Sequence, residues 1–205
     1  MATNLKKLKT VKTDYGRVED GTYPARIVQL IMLGNQMQTD WQTGEAKEDE
    51  NGNVVYKDEI WVTYEFTTER ISYENDEGEK VDRPRWQSKT YTLSMHEKAG
   101  FRKLMDAVAP EGECLEDLIE KPCIVKIGST SGGKAKVTGV SSPMKGMDVG
   151  ELENPAVIYD LDEPDVGVFD TLPNFLQEKI RNRRDAYESV PVEEPQDNVA
   201  DPFAA

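Results

Sequence analysis

A single change of period near residue 94 constrains this chain more than any other feature. In residues 54–73, Ile60, Val62, Tyr64 and Phe66 fall on one side of an extended chain and Trp61, Thr63 and Glu65 on the other. That is the period-two alternation of a strand with one buried face. Upstream, residues 20–41 open with Gly21-Thr-Tyr-Pro24 and run into Ala25-Arg-Ile-Val-Gln-Leu-Ile-Met-Leu33, a stretch rich in strand formers. Gly34 and Gly44 bracket a turn-prone region containing Trp41, and an acid-rich loop follows with Asn51-Gly52 as its turn signal. The polar run from Glu74 to Glu79 predicts a hairpin loop, and a third strand is expected over residues 83–95, carrying Trp86 and Tyr91.

Then the period lengthens. Ser94-x-x-Glu97 reads as a capping box, and Phe101, Leu104, Met105 and Val108 recur at i, i+3, i+4 and i+7. Such a stripe predicts an amphipathic helix that ends before Pro110. A short helical turn around residues 115–120 leads into two further strands, 122–128 and 134–140, joined by Ser129-Thr-Ser-Gly-Gly133. The order is β-β-β-α-β-β, which is that of an OB-fold barrel. A generic α+β sheet shares the order, because order alone does not decide closure. The expected fold class is therefore mostly β: a five-stranded OB-fold-like barrel with a C-terminal helix and a disordered acidic tail.

Charge divides the chain further. The formal net charge is −14, but 15 of the 39 acidic residues and only four of the 25 basic ones follow residue 147. The first 147 residues thus hold 24 acids and 21 bases and are nearly balanced. A balanced body can carry a basic groove, since distribution matters more than the sum. Residues 1–19, with Lys6, Lys7, Lys9 and Lys12, read as a flexible basic arm, and residues 20–147 as the domain. Residues 148–170 contain eight acids, two prolines and no Lys or Arg, and read as an extended acidic linker. Thr171 is expected to cap a last helix over 171–187, whose Leu172, Phe175, Leu176 and Ile180 form one apolar stripe. This stripe either docks on the barrel or binds a partner chain. Residues 188–205 are acidic and almost free of large apolar groups, so burial cannot offset their conformational entropy and disorder is expected. Their Asp197, Asp201, Pro202 and Phe203 put one aromatic beside carboxylates, which suits a small pocket rimmed by Lys or Arg on a partner protein.

Several chemistries find no ligands here. Gly128-x4-Gly133-Lys134 imitates a phosphate loop, but Ala135 stands where a Ser or Thr would hold magnesium and the following residues read as a strand. Counting back from Gly52 or Gly78 as the sixth position of a calcium loop puts Lys47 or Tyr73 at its first ligand. His96 is the only histidine, and Cys114 and Cys123 are the only cysteines, so neither a zinc quartet nor a disulfide framework is available. No catalytic set, metal site or cofactor is expected. Nothing resembles a secretory signal or a membrane span, so a cytoplasmic location is expected.

A binder remains. Bases of single-stranded nucleic acid stack on aromatic rings while Lys and Arg track the phosphates. The third strand supplies both in Arg83-Pro-Arg85-Trp86-Gln-Ser-Lys89. Trp61 lies opposite the face of Val62 and Tyr64, and Trp41 sits where the first strand leaves for its loop, a region OB-folds use for oligonucleotides. Lys134 and Lys136 on the last hairpin complete the expected groove, with Tyr56, Lys57 and Tyr73 at its edges. Each tryptophan has a plain alternative role in the core, and the Arg83–Lys89 run one as a solvated edge. Without a bulge, Arg85, Gln87 and Lys89 share a face with Tyr91.

The chain resembles the OB-fold single-stranded DNA-binding proteins of tailed bacteriophages. The residues that carry the likeness are Gly21-Thr-Tyr-Pro-Ala-Arg-Ile-Val-Gln-Leu-Ile-x-Leu-Gly34, the strand from Trp61 to Phe66, Lys89-x-Tyr91-x-Leu-Ser94-Met-His-Glu97-Lys98, and Leu172-Pro-x-Phe-Leu-x-Glu-Lys-Ile180. The acidic tail is similar to those of bacterial and phage single-stranded DNA-binding proteins, except that Ala204 and Ala205 follow Phe203. The resemblance implies a non-catalytic protein that coats single-stranded DNA in replication, recombination or repair. It also implies a tail that competes with DNA and recruits replication or recombination proteins, and a host-cell cytoplasmic location; self-association is left open. Two other classes stay open: an acidic DNA mimic that binds a host protein, and an accessory virion or assembly protein.

Overall fold

The computed structural model of this chain describes residues 17–40, 42–74 and 78–184. Its frame is a long antiparallel meander of β1 (Gly21–Met37), β2 (Tyr56–Glu74) and β3 (Lys80–Thr92). The helix α1 (Gly100–Val108) and a 3-10 turn at Leu115–Asp117 follow, then the hairpin of β4 (Pro122–Ser129) and β5 (Ala135–Ser141). After these come a short strand β6 (Val157–Tyr159) and two helices, α2 (Val166–Thr171) and α3 (Asn174–Arg181). The strands lie in the order β3-β2-β1-β4-β5, with β6 added to β1. Every pairing is antiparallel except that of β6 with β1.

β1 organises the sheet because it serves two neighbours on one edge. Residues 21–26 pair with β4, and residues 29–31 pair with β6, which takes up the edge that β4 leaves. Between these segments the β1–β2 register shifts around Val28, and it shifts again before Gly34, whose φ of 71° is the left-handed conformation that glycine adopts without strain. Bulges of this kind increase local twist and coil a sheet.

The alternating pattern reports the two faces faithfully. Ile27, Leu30, Ile60, Val62, Tyr64 and Phe66 turn to one side and pack with Val125, Ile127 and the Phe101, Leu104 and Met105 stripe of α1. Within this core the hydroxyls of Tyr64 and Tyr91 hydrogen-bond at 2.8 Å, so neither is buried unpaired. Ile31 and Leu33 turn to the other side, where Tyr159, Leu172, Leu176 and Ile180 cover them. The sheet therefore has a core on each face, and the second one is built from the C-terminal segment.

That second core corrects the reading of 148–170 as an extended linker. The segment contains β6 and α2, and Val149 and Tyr159 are buried. Most of its acids stay at the surface while Val157, Tyr159, Leu161, Val168 and Phe169 turn inward and Val166 does not, a pattern that net charge conceals. The last helix starts at Asn174 rather than at Thr171, which closes α2 instead. Of the two fates open to its apolar stripe, docking is the one observed: Leu176 and Ile180 are fully buried on the sheet while Phe175 remains half-exposed.

Two smaller expectations also change. The Ser94–Glu97 capping box does not form, because the helix begins later, with Ala99 as an N-cap that supplies no side-chain hydrogen bond. Ser94 Oγ instead accepts from the backbone N–H of His96, and His96 Nδ1 accepts from that of Lys98. At the N-terminus, Val18 is buried in the first core and Arg17 donates to the carbonyl of Gly133 at 2.8 Å, so residues 17–19 belong to the body rather than to a free arm.

Closure is the remaining point of fold. Among the described residues no hydrogen-bonded ladder joins β3 to β5, so the sheet is not a closed barrel. Its two edges nevertheless approach each other, leaving a gap between β3 and β5 that α1 borders at one end.

Candidate nucleic-acid interface

The gap between the two edges opens into a cleft of about 760 Å³. Arg83, Pro84, Arg85, Trp86 and Gln87 of β3 form one wall, and Gly133, Lys134 and Ala135 of the β4–β5 hairpin form the other. Arg17, Val18, Ile71 and Asn154 complete it. Four cations line the cleft and no Asp or Glu does, and one of the four, Arg17, pairs with Asp20 beside the cleft. The hairpin wall stands where it does because Gly133 turns at a φ of 76°, and Lys134 then leads directly into a strand. The phosphate-loop imitation is thus a β-hairpin.

Pairing of β2 with β3 decides which side chains share a face. Glu65 lies opposite Trp86, Thr63 opposite Ser88, and Tyr64 opposite Gln87. Trp86 therefore belongs to the outer face at the rim of the cleft, and the residue is 41% exposed. Its indole Nε1–H donates to the Glu65 carboxylate at 2.9 Å. Glu65 is completely buried and accepts two further hydrogen bonds, from the backbone N–H of Glu153 at 2.7 Å and from Asn154 Nδ2 at 2.6 Å. One carboxylate thus fixes the edge tryptophan and the start of the C-terminal cover together. Arg70 reinforces the same corner, pairing with Glu153 and with Asp82, while its carbonyl accepts from Arg85 Nε at 3.1 Å.

On the other face of β3, Lys89 sits above the ring of Tyr91, 4.7 Å from its centroid. Partial burial, and then the charge of Lys136 on β5, pull Lys89 below the ordinary lysine pKa. Burial pushes the Tyr91 hydroxyl up to about 12, so it remains a neutral floor. Lys89 also lines a second depression of about 710 Å³, bounded by Lys57, Asp58, residues 90–94, His96, Lys98, Ala99 and Gly100.

The residues singled out in the sequence separate into groups. Arg83, Arg85, Trp86 and Lys134 meet in the first cleft and Lys57 and Lys89 in the second, while Lys136 on β5 lines neither but is near enough for its charge to oppose that of Lys89. Tyr73 lies beneath the Arg83 guanidinium at 4.8 Å. Tyr56 stands apart, with Arg184 over its ring at 4.9 Å. Trp61 also stands apart: it packs edge-on against Phe175 of α3 at 5.4 Å and donates to Thr63 Oγ1. Its face is opposite that of Val62, as the alternation requires, but the C-terminal cover occupies that face. Trp41 and the tail residues Asp197, Asp201, Pro202 and Phe203 lie outside the described residues.

Sequence reasoning missed Arg17, Asn154, Glu65 and Lys98. Only Glu65 carried a local signal, as a lone carboxylate at a strand position flanked by Tyr64 and Phe66. Among the described residues no group of three or more His, Cys, Asp or Glu side chains is placed to hold a metal ion. None of the described helices is long and apolar enough to cross a membrane. No protein-family model, curated protein or solved structure matches this chain.

Proposed function

We propose that this protein is a non-catalytic single-stranded DNA-binding protein and that its sheet is an opened OB-type barrel. The observation that carries the reading is the cleft between β3 and β5, which combines Arg83, Arg85 and Lys134, an exposed tryptophan edge and a lining free of carboxylates. Cations beside an aromatic ring are what a flexible polyanion with stackable bases requires. The barrel is supported by the strand order, by the helix between β3 and β4, and by the two free edges facing each other. Such a protein coats strands exposed in replication, recombination or repair with little sequence preference, because every base has a face to stack. Its acidic C-terminal residues compete with DNA for the same cations and, once displaced, engage replication or recombination proteins. The resemblance to phage proteins supports that role and a cytoplasmic site of action.

The test is a titration of intrinsic tryptophan fluorescence with unlabelled oligo-dT at low and moderate salt. Saturable, salt-sensitive quenching that Trp86→Phe reduces is the expected result. A flat signal in the full chain and in a chain ending at residue 187 overturns the reading, and pull-down of a basic protein partner then favours the DNA-mimic class.

A further inference from the structure

Resting on that reading, we infer that the depression at the far end of β3 is a second subsite, one that takes the phosphodiester backbone of the same single strand. The two clefts are stations on one track. The first is lined by residues 83–87 of β3 and the second by residues 89–92, so they follow each other along a single strand. From Trp86 to Tyr91 is five residues, a distance of about 16 Å at roughly 3.3 Å per residue. Between the stations β3 and β5 run close to each other, and Lys89 on β3 and Lys136 on β5 keep positive charge along the gap.

The chemistry of the two stations differs. The first offers an indole edge; the second offers Lys57, Lys89 and Lys98 with one carboxylate, Asp58, whose Oδ1 already accepts from Asn35 Nδ2 at 3.1 Å. His96 Nδ1 is occupied by the Lys98 amide, which leaves Nε2 as the hydrogen-bonding nitrogen that remains for a ligand. The N-terminus of α1 lies on the same wall without a side-chain cap, and its positive end adds to the field. The Tyr91 ring is buried beneath Lys89, and the other ring among the lining residues is the small imidazole of His96. The second subsite therefore reads charge rather than bases. A strand that stacks on Trp86, on the outer face of β3, crosses the free edge of β3 at the gap to lay its backbone on these lysines on the other face.

Lys57 and Lys98 are both exposed, so their removal leaves the fold intact. The experiment is a fluorescence titration of the full chain and of a Lys57→Ala/Lys98→Ala variant with oligo-dT of increasing length, each across a salt series. A Lys47→Ala/Lys145→Ala variant controls for net charge. Short oligonucleotides are expected to bind the variant as they bind the parent. Long ones are expected to lose the affinity gained with length, and the salt slope to fall by about 1.4, from two contacts at roughly 0.7 each. If the variant follows the parent at every length while the tryptophan signal persists, the second subsite is refuted and the first cleft stands. Absence of quenching in all three proteins removes both.

Discussion

Replacing Glu65 by Gln tests the corner that joins the cleft to the C-terminal cover. The side chain is fully buried and accepts three hydrogen bonds, from Trp86, from Asn154 and from the amide of Glu153. Oε2 serves the indole and Asn154, while Oε1 serves the backbone. An amide of the same shape keeps one oxygen and turns an NH2 toward a donor. At the least, then, one charge-assisted bond is lost and a buried N–H is left without an acceptor, a cost of about 2 kcal/mol. For a chain of this size that lowers the melting temperature by roughly 4–8 °C. Thermal unfolding followed by far-UV circular dichroism at fixed ionic strength measures it. Near-UV circular dichroism reports the environment of Trp86 in the same sample. Trp86→Phe removes one donor and leaves the other two, so the double variant should show a coupling of at least about 0.5 kcal/mol. The amide oxygen is expected to stay on the side of the indole and Asn154, so the bond lost is that from the Glu153 amide, and oligo-dT affinity should fall less than in Trp86→Ala. A melting temperature within a degree of the parent, with additive single and double variants, would refute the corner as a structural unit.

Trp61→Ala should destabilise the protein by about 2 kcal/mol, since it strips an aromatic neighbour from Phe175 and the second core, and it should leave oligonucleotide affinity unchanged in the folded fraction. Trp86→Ala should weaken binding by about 1–3 kcal/mol, and because it strips a donor from the buried Glu65 carboxylate it should also destabilise the fold by about 1–3 kcal/mol, so affinity is compared in the folded fraction. Leu176→Ala should cost about 2–5 kcal/mol in chemical denaturation, the range for truncating a buried leucine. Lys89 should make binding fall with rising pH. Its free pKa is lowered, a bound phosphate favours its charged form, and binding therefore takes up a proton between the free and bound pKa values. Lys136 on β5 opposes its charge, Tyr91 lies beneath it, and Lys57, Asp58, His96 and Lys98 surround the same cleft. Affinity measured from neutral pH to about 10 should decline in the parent and stay flatter in Lys89→Arg, whose charge persists. Equal slopes would exclude Lys89 as a phosphate contact.

What the sequence disclosed and what it hid follow from how far each signal reaches. Strand periods, the helix of residues 100–108 and the β4–β5 hairpin rest on neighbours two to four residues apart, and they emerge within a few residues of their expected bounds. The Arg83–Lys89 run was legible for the same reason: charge and ring stand together in one strand. Partnerships across the chain were not. Nothing near Glu65 announces that Asn154 and the amide of Glu153 will meet it, because those groups lie 88 and 89 residues away. The same range explains Trp61. Alternation correctly removed it from the first core, but only the fold of residues 157–180 could show that its face is covered.

The acidic segment before α3 is the instructive case, because composition pointed the wrong way. Eight acids and two prolines in residues 148–170 argue for a solvated linker, yet the segment docks with most of its apolar residues inward. The acids serve the outer face: Glu151 and Glu153 reach Arg26 and Arg70 there. Arginines that would otherwise spread positive charge over the back of the sheet are thereby matched on that side. The gap between β3 and β5 keeps a first cleft lined by four cations and no carboxylate. On the reading proposed above, a chain with a net charge of −14 would offer a polyanion the cationic track of its described residues, and the negative remainder would disfavour attachment elsewhere. Neutralising Glu151 and Glu153 to Gln should therefore raise weak, non-specific DNA association at low salt without adding to tryptophan quenching. Equal gains in both would mean that the acids merely tune net charge.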